Sequence, residues 1–284
     1  VCIFVNDHAD AAVLEVLRRG GTGLVALRCT GFNNVDLAAA QKLGIKVVRV
    51  VDYSPYSVAE HAVALLLAIN RKIHRAYQRT RDSNFALDGL MGFDLHGKTV
   101  AVIGTGKIGR VFARIMLGFG CEVIGYDIHP SAEFEALGAG YATVDEIGAT
   151  SDIISLHCPL TPESHHLVNA GTLARLKPGA LLINTSRGGL VDTDAAVEAL
   201  KSGQLGGLGL DVYEQETDLF FRDLSSSVIA DDVLQRLVSF PNVIVTGHQA
   251  FFTREAITTI SETTLRSVTE YATGLPLSNE IRAS

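Results

Sequence analysis

Residues 99–127, TVAVIGTGKIGRVFARIMLGFGCEVIGYD, decide the fold of this chain of 284 residues. Apolar residues fill positions 100–103, a pattern typical of a strand that is buried on both faces of a parallel sheet. Gly104, Gly106 and Gly109 follow at G-x-G-x-x-G spacing, and helical periodicity continues over 107–119. A second apolar run over 122–126 predicts the next strand. The stretch therefore predicts the first βαβ unit of a doubly wound parallel sheet.

The same stretch predicts a site for an adenine dinucleotide. Glycines at these three positions permit a tight turn, a close approach of the pyrophosphate and close packing of the helix on the strand. Lys107 and Ile108 are the first residues of the predicted helix. The positive N-terminal end of this helix would point at the phosphates. Asp127 ends the second strand, where a carboxylate can accept hydrogen bonds from a ribose diol and repels a 2′-phosphate. We therefore expect NAD rather than NADP.

Composition and charge narrow the class of protein. Hydrophobic residues make up 47% of the chain and charged residues 19%, which is typical of a globular enzyme, and the length suffices for two domains. The net charge of −7 gives no electrostatic reason to expect nucleic acid or an anionic membrane as a partner. The longest apolar run, 62–69, is far shorter than the roughly 20 residues of a membrane helix. The four cysteines lack C-x-x-C spacing, which favours free thiols in a reducing cytoplasm over disulfides or zinc.

Strands and helices are predicted to alternate on both sides of the glycine motif. Before the motif, we expect strands over 1–5, 24–28 and 45–51 and helices over 9–19 and 36–43. A long helix capped by Ser57 is predicted over 58–81, and its first half is apolar around most of its circumference, which indicates burial in the core or against another subunit. After the motif, we expect strands over 152–157, 180–185, 207–212 and 242–246, helices over 167–176, 194–202 and 253–271, and a polar tail.

Polar residues that could carry chemistry follow the strands of the predicted sheet. Arg187, Asp211, Glu216 and His248 lie beyond strand ends, which meet at one crevice in this fold class. An arginine can hold a substrate carboxylate through two parallel hydrogen bonds, and a histidine can accept the hydroxyl proton as hydride leaves the carbon. A carboxylate paired with that histidine favours its protonated form. This combination suits the oxidation of a hydroxy acid.

Two other kinds of site are disfavoured. Ser186 lies in N-T-S-R-G and lacks the G-x-S-x-G elbow that exposes the nucleophile of many serine hydrolases. The remaining histidines, among them His165 and His166, lack the spacing of helical ligand pairs. No metal site is therefore predicted.

Five motifs occur in order along the chain: GTGKIG, HCPLT, NTSRGGLVD, GLDVYEQE and TGHQAFFTREA. Together with RCTGFNNVD and YSPYSVAEHA, they resemble those of the D-isomer-specific 2-hydroxyacid dehydrogenases, and most closely the NAD-dependent D-lactate dehydrogenases. The resemblance implies that Arg187 binds the substrate, that His248 is the acid/base and that Glu216 is the acid paired with it. Pyruvate and D-lactate are then the implied substrate and product.

The resemblance also implies which residues surround the cofactor and the substrate. Asp211 would lie near the nicotinamide carboxamide, and the other cofactor contacts that we expect beyond strand ends are His157, Cys158, Pro159, Thr185 and Ser186. The substrate would contact Tyr53, Thr30, Gly31 and Phe251 in addition to the arginine.

Members of this family have two domains, with the active site in the cleft between them. The resemblance therefore implies a Rossmann NAD-binding domain over 53–251 and a smaller, flavodoxin-like substrate domain built from 1–52 and 252–284. Family members are commonly dimers joined through their nucleotide domains, so we expect a homodimer or a higher homo-oligomer with helix 58–81 at the interface. The family's substrate domain begins before a strand like VCIFV, so we expect its first strand and helix to be missing here.

Two alternatives stay open at this point. A D-2-hydroxyacid dehydrogenase for a bulkier 2-keto acid would carry the same motifs. An NAD-sensing binding protein of the corepressor type can retain them as well, since fold and function are separable.

Overall fold

The computed structural model describes residues 1–283, without the side chain of Asp218. The chain divides into two compact units, a smaller one of Val1–Ser54 with Phe251–Ser284 and a larger one of Pro55–Ala250. The domain boundaries predicted from the sequence, 52/53 and 251/252, lie within two residues of these divisions.

Helices and strands alternate along both units. The smaller unit begins with β1 (Cys2–Ile3), α1 (Ala11–Arg19), β2 (Leu24–Leu27), α2 (Leu37–Lys42) and β3 (Lys46–Val48). The larger unit contains α3 (Pro55–Asn70), α4 (Ile73–Arg81), β4 (Thr99–Ile103), α5 (Lys107–Gly118), β5 (Glu122–Tyr126), α6 (Ala132–Glu135), β6 (Gly140–Tyr141), α7 (Val144–Thr150), β7 (Ile153–Leu156), α8 (Ala170–Ala174), β8 (Ala180–Asn184), α9 (Thr193–Ser202), β9 (Leu205–Leu210), α10 (Asp232–Ser239) and β10 (Val243–Val245). The smaller unit ends with α11 (Arg254–Ala272) and β11 (Glu280–Ile281). Two short 3-10 helices, Gly188–Leu190 and Glu216–Asp218, follow β8 and β9.

The seven strands of the larger unit are all parallel, in the order β10-β9-β8-β7-β4-β5-β6. The chain winds outward from β4 in one direction through β5 and β6, and in the other direction from β7 to β10. Ligands of open α/β sheets bind beyond the carboxyl ends of the strands at such a reversal. The prediction of a doubly wound parallel sheet with a second, smaller α/β unit is confirmed.

Burial on both faces explains why β4 is apolar after Thr99. Val100 and Val102 belong to one hydrophobic cluster, whereas Ala101 and Ile103 belong to another. Residues 100–102 are fully buried. Side chains alternate across a strand, so the two clusters lie on opposite faces of the sheet. Phe112 of α5 is fully buried in the cluster that α3 and α5 share. Polar residues would have no partners at these strand positions.

The predicted helix over 58–81 is wrong in its bounds. The structure has two helices, α3 and α4, and Lys72 between them adopts a left-handed conformation with φ of 51°. α3 begins at Pro55, so Ser57 lies within the helix instead of capping it. Proline is favoured in the first helical turn because its missing N–H needs no partner there. α3 packs against α5, β8 and β9 of its own unit, which accounts for its apolar circumference within the chain.

The smaller unit is a four-stranded sheet in the order β1-β2-β3-β11. β1, β2 and β3 are parallel, and β11 pairs antiparallel with β3, with Glu280 opposite Val48. Lys46 Nζ lies 2.8 Å from Glu280 Oε1 and links the same two strands. The sequence predicts only a polar tail after α11, because two residues are too few to show an alternating pattern. Pairing with a distant strand therefore defines β11.

Two elements differ from their predictions through local capping and pairing. α8 spans only Ala170–Ala174, because Asn169 caps it and Val168 instead forms a bridge with Val191. α10, which was not predicted, begins after Asp231, whose side chain accepts the N–H of Leu234. α11 begins after Thr253 and continues to Ala272, close to its predicted bounds. Within residues 1–283, no helix combines the length and the apolar character needed to cross a bilayer.

Candidate active site

The glycine turn after β4 leaves open space in front of the N-terminus of α5. Gly104 adopts φ of +97°, and a Cβ atom there would lie 2.5 Å from the backbone N of Cys158. A Cβ atom on Gly109 would lie 2.0 Å from the carbonyl oxygen of Gly104, whereas one on Gly106 would meet no atom within 4 Å. Within the part of the chain that the structure describes, no side chain forms a cap hydrogen bond at the start of α5. This turn therefore fits a pyrophosphate, which can approach the backbone at Gly106 and face the helix N-terminus.

Asp127 lies at the end of β5 with its carboxylate held in place. Its Oδ2 accepts hydrogen bonds from the backbone N–H of Thr105 at 2.7 Å and from the Thr105 hydroxyl at 3.2 Å. Its Oδ1 accepts the backbone N–H of His129 at 2.9 Å. A carboxylate has about four acceptor sites, so one more can serve a ribose hydroxyl. The carboxylate is thus fixed in the position that selection of NAD requires.

The loops after β7 and β8 lie next to this turn and are tied to each other. The Ser186 hydroxyl donates to the carbonyl of Cys158 at 2.6 Å. The hydroxyl oxygen of Thr185 is buried without a hydrogen-bond partner among the described residues. Buried polar groups normally have partners, so the Thr185 hydroxyl fits a cofactor hydrogen bond. Burial raises the pKa of the Cys158 thiol to about 11, which keeps it neutral.

The side chain of His157 turns into the core of its unit. Its ring centroid lies 4.9 Å from that of Phe112, and its Nε2 lies 2.9 Å from the hydroxyl of Ser155. Burial lowers the pKa of His157 to about 3, so the ring is neutral. The predicted cofactor contact of His157 stays a prediction. Two residues after His157, the carbonyl of Pro159 accepts a hydrogen bond from the Ser164 hydroxyl at 2.8 Å.

Three predicted catalytic residues follow the carboxyl ends of neighbouring strands. Arg187 follows β8, Glu216 follows β9 and His248 follows β10. His248 Nδ1 lies 2.9 Å from Glu216 Oε1, and the other carboxylate oxygen accepts the N–H of Tyr213 at 3.0 Å. His248 has φ of +53°, and its own N–H donates to the carbonyl of Asp211 at 2.7 Å. Because Nδ1 faces the carboxylate, Nε2 is the nitrogen left to exchange a proton with a substrate.

The arginine loop packs directly on the loop that carries the glutamate. A Cβ atom at Gly188 would lie 2.1 Å from the backbone carbon of Tyr213 and 2.4 Å from the nitrogen of Glu214. The guanidinium of Arg187 donates to the carbonyl of Ser186 at 2.7 Å, and its other nitrogens remain able to bind an anion. The absence of a side chain at Gly188 thus brings the two loops together.

Asp211 is fully buried and organises the loop that carries His248. Its carboxylate accepts the hydroxyl of Thr246 at 2.5 Å and the backbone N–H groups of Gln249 at 2.9 Å and Ala250 at 2.8 Å. Burial alone would raise the pKa of Asp211, but hydrogen bonds from His61, Thr246 and these N–H groups outweigh burial and lower it. The predicted contact of Asp211 with the nicotinamide stays a prediction.

The hydrogen-bond network around Asp211 also includes His61, a residue that sequence reasoning did not single out as functional. Its Nε2 lies 3.1 Å from the hydroxyl of Thr246 and 3.3 Å from Asp211 Oδ1. The only sequence signal was its place in the YSPYSVAEHA motif, because a single histidine on an apolar helix is usually a core residue.

The predicted substrate-binding residues outside the arginine all belong to the smaller unit. Thr30 and Gly31 follow β2, where the carbonyl of Thr30 accepts a hydrogen bond from Arg49 at 3.0 Å. The rings of Tyr53 and Phe251 meet edge to face with centroids 6.5 Å apart. The structure brings these two aromatic rings together, and the substrate contacts of all four residues stay predictions.

Comparison with known proteins identifies the family. Residues 63–250 match the family model described as "D-isomer specific 2-hydroxyacid dehydrogenase, NAD binding domain". The chain belongs to this family. The predictions of family, of NAD as cofactor and of a dehydrogenase are confirmed, and the roles of individual residues stay predictions.

Relatives and solved structures cover nearly the whole chain of this family member. It is 54% identical over 281 residues to the D-lactate dehydrogenase of Escherichia coli (strain K12), covering 99% of this chain and 85% of that protein. A solved pyruvate reductase of Chlamydomonas reinhardtii matches with a TM-score of 0.94 at 48% identity, over 98% of this chain and 84% of that one. The D-lactate dehydrogenase of Aquifex aeolicus, solved with NAD and lactic acid, matches with a TM-score of 0.89 at 35% identity, over 100% and 86%.

Proposed function

We propose that this chain is an NAD-dependent D-lactate dehydrogenase that interconverts pyruvate and D-lactate. The observation that carries the proposal is the hydrogen bond of 2.9 Å between His248 and Glu216, on loops beside the one that holds Arg187. The similar proteins named above, one solved with NAD and lactic acid, support this substrate over others. The turn at Gly106 and the carboxylate of Asp127 support NAD as the bound cofactor.

Each residue of the proposed site has a distinct chemical task. Arg187 binds the substrate carboxylate through parallel hydrogen bonds and orients the adjacent keto group. Bound NADH supplies the hydride. His248 donates the proton from Nε2 to the keto oxygen, and in the reverse direction the same nitrogen accepts the hydroxyl proton. Glu216 fixes the ring orientation through Nδ1 and stabilises the protonated ring, while the N–H of Tyr213 holds the glutamate in turn.

The variant His248→Gln tests the acid/base assignment. We expect kcat for pyruvate reduction to fall by about 10²- to 10⁴-fold, the usual contribution of a positioned general acid. NADH binding, measured by fluorescence titration, should stay near the wild-type value because the substitution leaves the glycine turn intact. His8→Gln, at an exposed position of the smaller unit, is the matched control and should retain activity. Near-normal turnover by His248→Gln would overturn the assignment.

Steady-state rates with a panel of 2-keto acids test the substrate. We expect the highest kcat/KM with pyruvate and a lower value with phenylpyruvate. The reverse preference would favour a dehydrogenase for bulkier side chains. Tight NADH binding without turnover of any 2-keto acid would instead favour an NAD-sensing binding protein.

We further propose that the chain forms a homodimer through α4 and the segment that follows it. Large apolar side chains are strongly exposed there, with exposed fractions of 57% for Ile73, 60% for Tyr77, 74% for Phe85, 81% for Leu87 and 87% for Met91. Contiguous exposed apolar groups usually mark an interaction surface. The family resemblance favours a second copy of the chain as the partner. Helix 58–70, by contrast, is covered by its own unit.

Light scattering coupled to gel filtration tests the dimer. The wild type should elute as a dimer, and Leu87→Asp should shift the population toward the monomer because a charge would be buried at the interface. Val228→Asp, at an equally exposed position, is the control and should stay dimeric. A wild-type monomer would refute the dimer.

We also propose the cytoplasm as the compartment, since all four cysteines are free thiols.

A further inference from the structure

A cluster of two histidines and one carboxylate lies on the larger unit, outside the proposed active site. His165, His166 and Glu214 place their ligand atoms within 4.8 Å of one another. His166 Nε2 lies 2.5 Å from Glu214 Oε1, and the two imidazole rings stack with centroids 3.9 Å apart. We propose that these three residues bind a divalent transition metal ion, Zn²⁺, with water as the fourth ligand.

The donor set selects the kind of cation. Two imidazole nitrogens and one carboxylate oxygen are ligands that Zn²⁺ accepts at about 2.0–2.2 Å, and three protein ligands plus one water complete a tetrahedron. Mg²⁺ and Ca²⁺ prefer oxygen ligands alone, so a site with two imidazoles disfavours them. Ligand atoms of a tetrahedral zinc site lie about 3.3 Å apart, as bond lengths near 2.0 Å require. Small rotations of the exposed side chains close the remaining distance.

The backbone holds the two histidines in a fixed turn. His166 adopts φ of +51°, and its N–H donates to the carbonyl of Gly189 at 2.8 Å. Its own carbonyl accepts the side-chain amide of Asn169 at 2.9 Å. The N–H of His165 donates to the carbonyl of Thr161 at 3.0 Å. Both rings therefore start from one defined backbone geometry, which reduces the entropy lost on binding an ion.

The carboxylate is oriented by a neighbour, as metal ligands commonly are. Glu214 Oε2 accepts the hydroxyl of Thr193 at 3.1 Å, which leaves Oε1 facing the imidazole of His166.

The placement of these residues explains why no metal site was visible in the sequence. Neighbouring residues in a chain cannot occupy one face of a helix or strand, so ligand spacing is not visible at 165–166. The third ligand is 48 residues away from His166, and packing of Gly188 on the backbone of Tyr213 and Glu214 brings the loops together. Zinc bound here would restrain the loop that also carries Glu216, two residues further along the chain.

Competition with a chromophoric zinc indicator tests the site on the full chain after metal removal. We expect the wild type to take one equivalent of Zn²⁺ from the indicator. His165→Gln, His166→Asn and Glu214→Gln should each weaken binding by more than about tenfold, since loss of a mere supporting residue costs 10- to 100-fold. His129→Gln, at an exposed position elsewhere, should bind as the wild type does. Because His165→Gln replaces an exposed side chain, we expect this variant to fold like the wild type, and circular dichroism checks this.

Three outcomes would overturn the site. Wild-type protein that takes no zinc from the indicator excludes it, as do variants that bind with wild-type affinity. Zinc binding that is lost in His248→Gln but kept in the three variants would place the ion at the proposed acid/base histidine instead. A thermal scan supports the site if Zn²⁺ raises the Tm of the wild type and not of Glu214→Gln. The readouts are binding and stability, so they do not depend on the proposed dehydrogenase activity.

Discussion

Replacing Asp211 with asparagine tests whether one buried carboxylate fixes the loop that carries His248. The side chain is fully buried and accepts three hydrogen bonds of 2.5 to 2.9 Å from Thr246, Gln249 and Ala250. Asparagine has nearly the same volume but offers one acceptor oxygen and one NH₂ group. Because Oδ1 and Oδ2 both accept backbone N–H groups, the NH₂ group must face one of these donors.

The magnitude follows from this mismatch. One buried N–H left without an acceptor costs about 1–3 kcal/mol, and the remaining hydrogen bonds lose their charge assistance at about 1 kcal/mol each. We therefore expect Asp211→Asn to lower the free energy of unfolding by about 3–5 kcal/mol. The loop displacement also moves His248, and a shift near 1 Å can lower kcat by about 10²-fold.

Urea unfolding followed by far-UV circular dichroism measures the stability, since the chain contains no tryptophan. Asp192→Asn is the matched control, because among the described residues Asp192 accepts only the N–H of Ala195 at the start of α9. Asparagine caps helices about as well as aspartate, so the control should change stability by less than about 0.5 kcal/mol. The reasoning fails if the two variants have equal stability and both keep the wild-type kcat.

Further predictions concern the cofactor site and acid stability. Asp127→Ala should weaken NADH binding by about 10- to 100-fold, because a hydrogen bond to a charged group is lost. The same variant should raise kcat/KM with NADPH relative to kcat/KM with NADH. An unchanged ratio of these two values would mean that another residue excludes the 2′-phosphate. Gly106→Ala should preserve the Tm but raise the Kd for NADH by about tenfold or more. Gly109→Ala should lower the Tm as well, because its Cβ would lie 2.0 Å from the carbonyl oxygen of Gly104. Equal Tm values for the two variants would contradict this prediction. The pKa of Asp211 is lowered in the native state, so its carboxylate stabilises the fold above the unfolded-state pKa of about 4 and loses that contribution as the pH falls through the lower native pKa. Urea titrations should therefore show the gap between wild type and Asp211→Asn closing below about pH 4, and a gap of constant size would refute this assignment.

Local sequence patterns predicted most of the larger unit. β5 has its predicted bounds, and α5 ends one residue before its predicted end. In the smaller unit, helices α1, α2 and α11 begin one or two residues after their predicted starts, behind the capping residues Asp10, Asp36 and Thr253. These features are readable because periodicity, helix capping and the steric demands of glycine depend on residues close together in the chain.

The break between α3 and α4 and the strand β11 were not readable from such patterns. Residues on both sides of Lys72 have helical character, and no glycine or proline marks the left-handed turn there. β11 has two residues and becomes a strand only by pairing with β3. Short elements carry too little periodicity to be distinguished from loops.

By itself, the sequence determined the βαβ unit, the expectation of NAD as the cofactor and the order of the motifs that identify the family. The tertiary structure decided which polar groups meet. It joined Glu216 to His248, enclosed Asp211 with Thr246 and His61, turned the His157 ring into the core and grouped Glu214 with two histidines. The physical reason is distance along the chain. Strand order and loop packing select partners tens of residues apart, and no local pattern of hydrophobicity or capping specifies that choice.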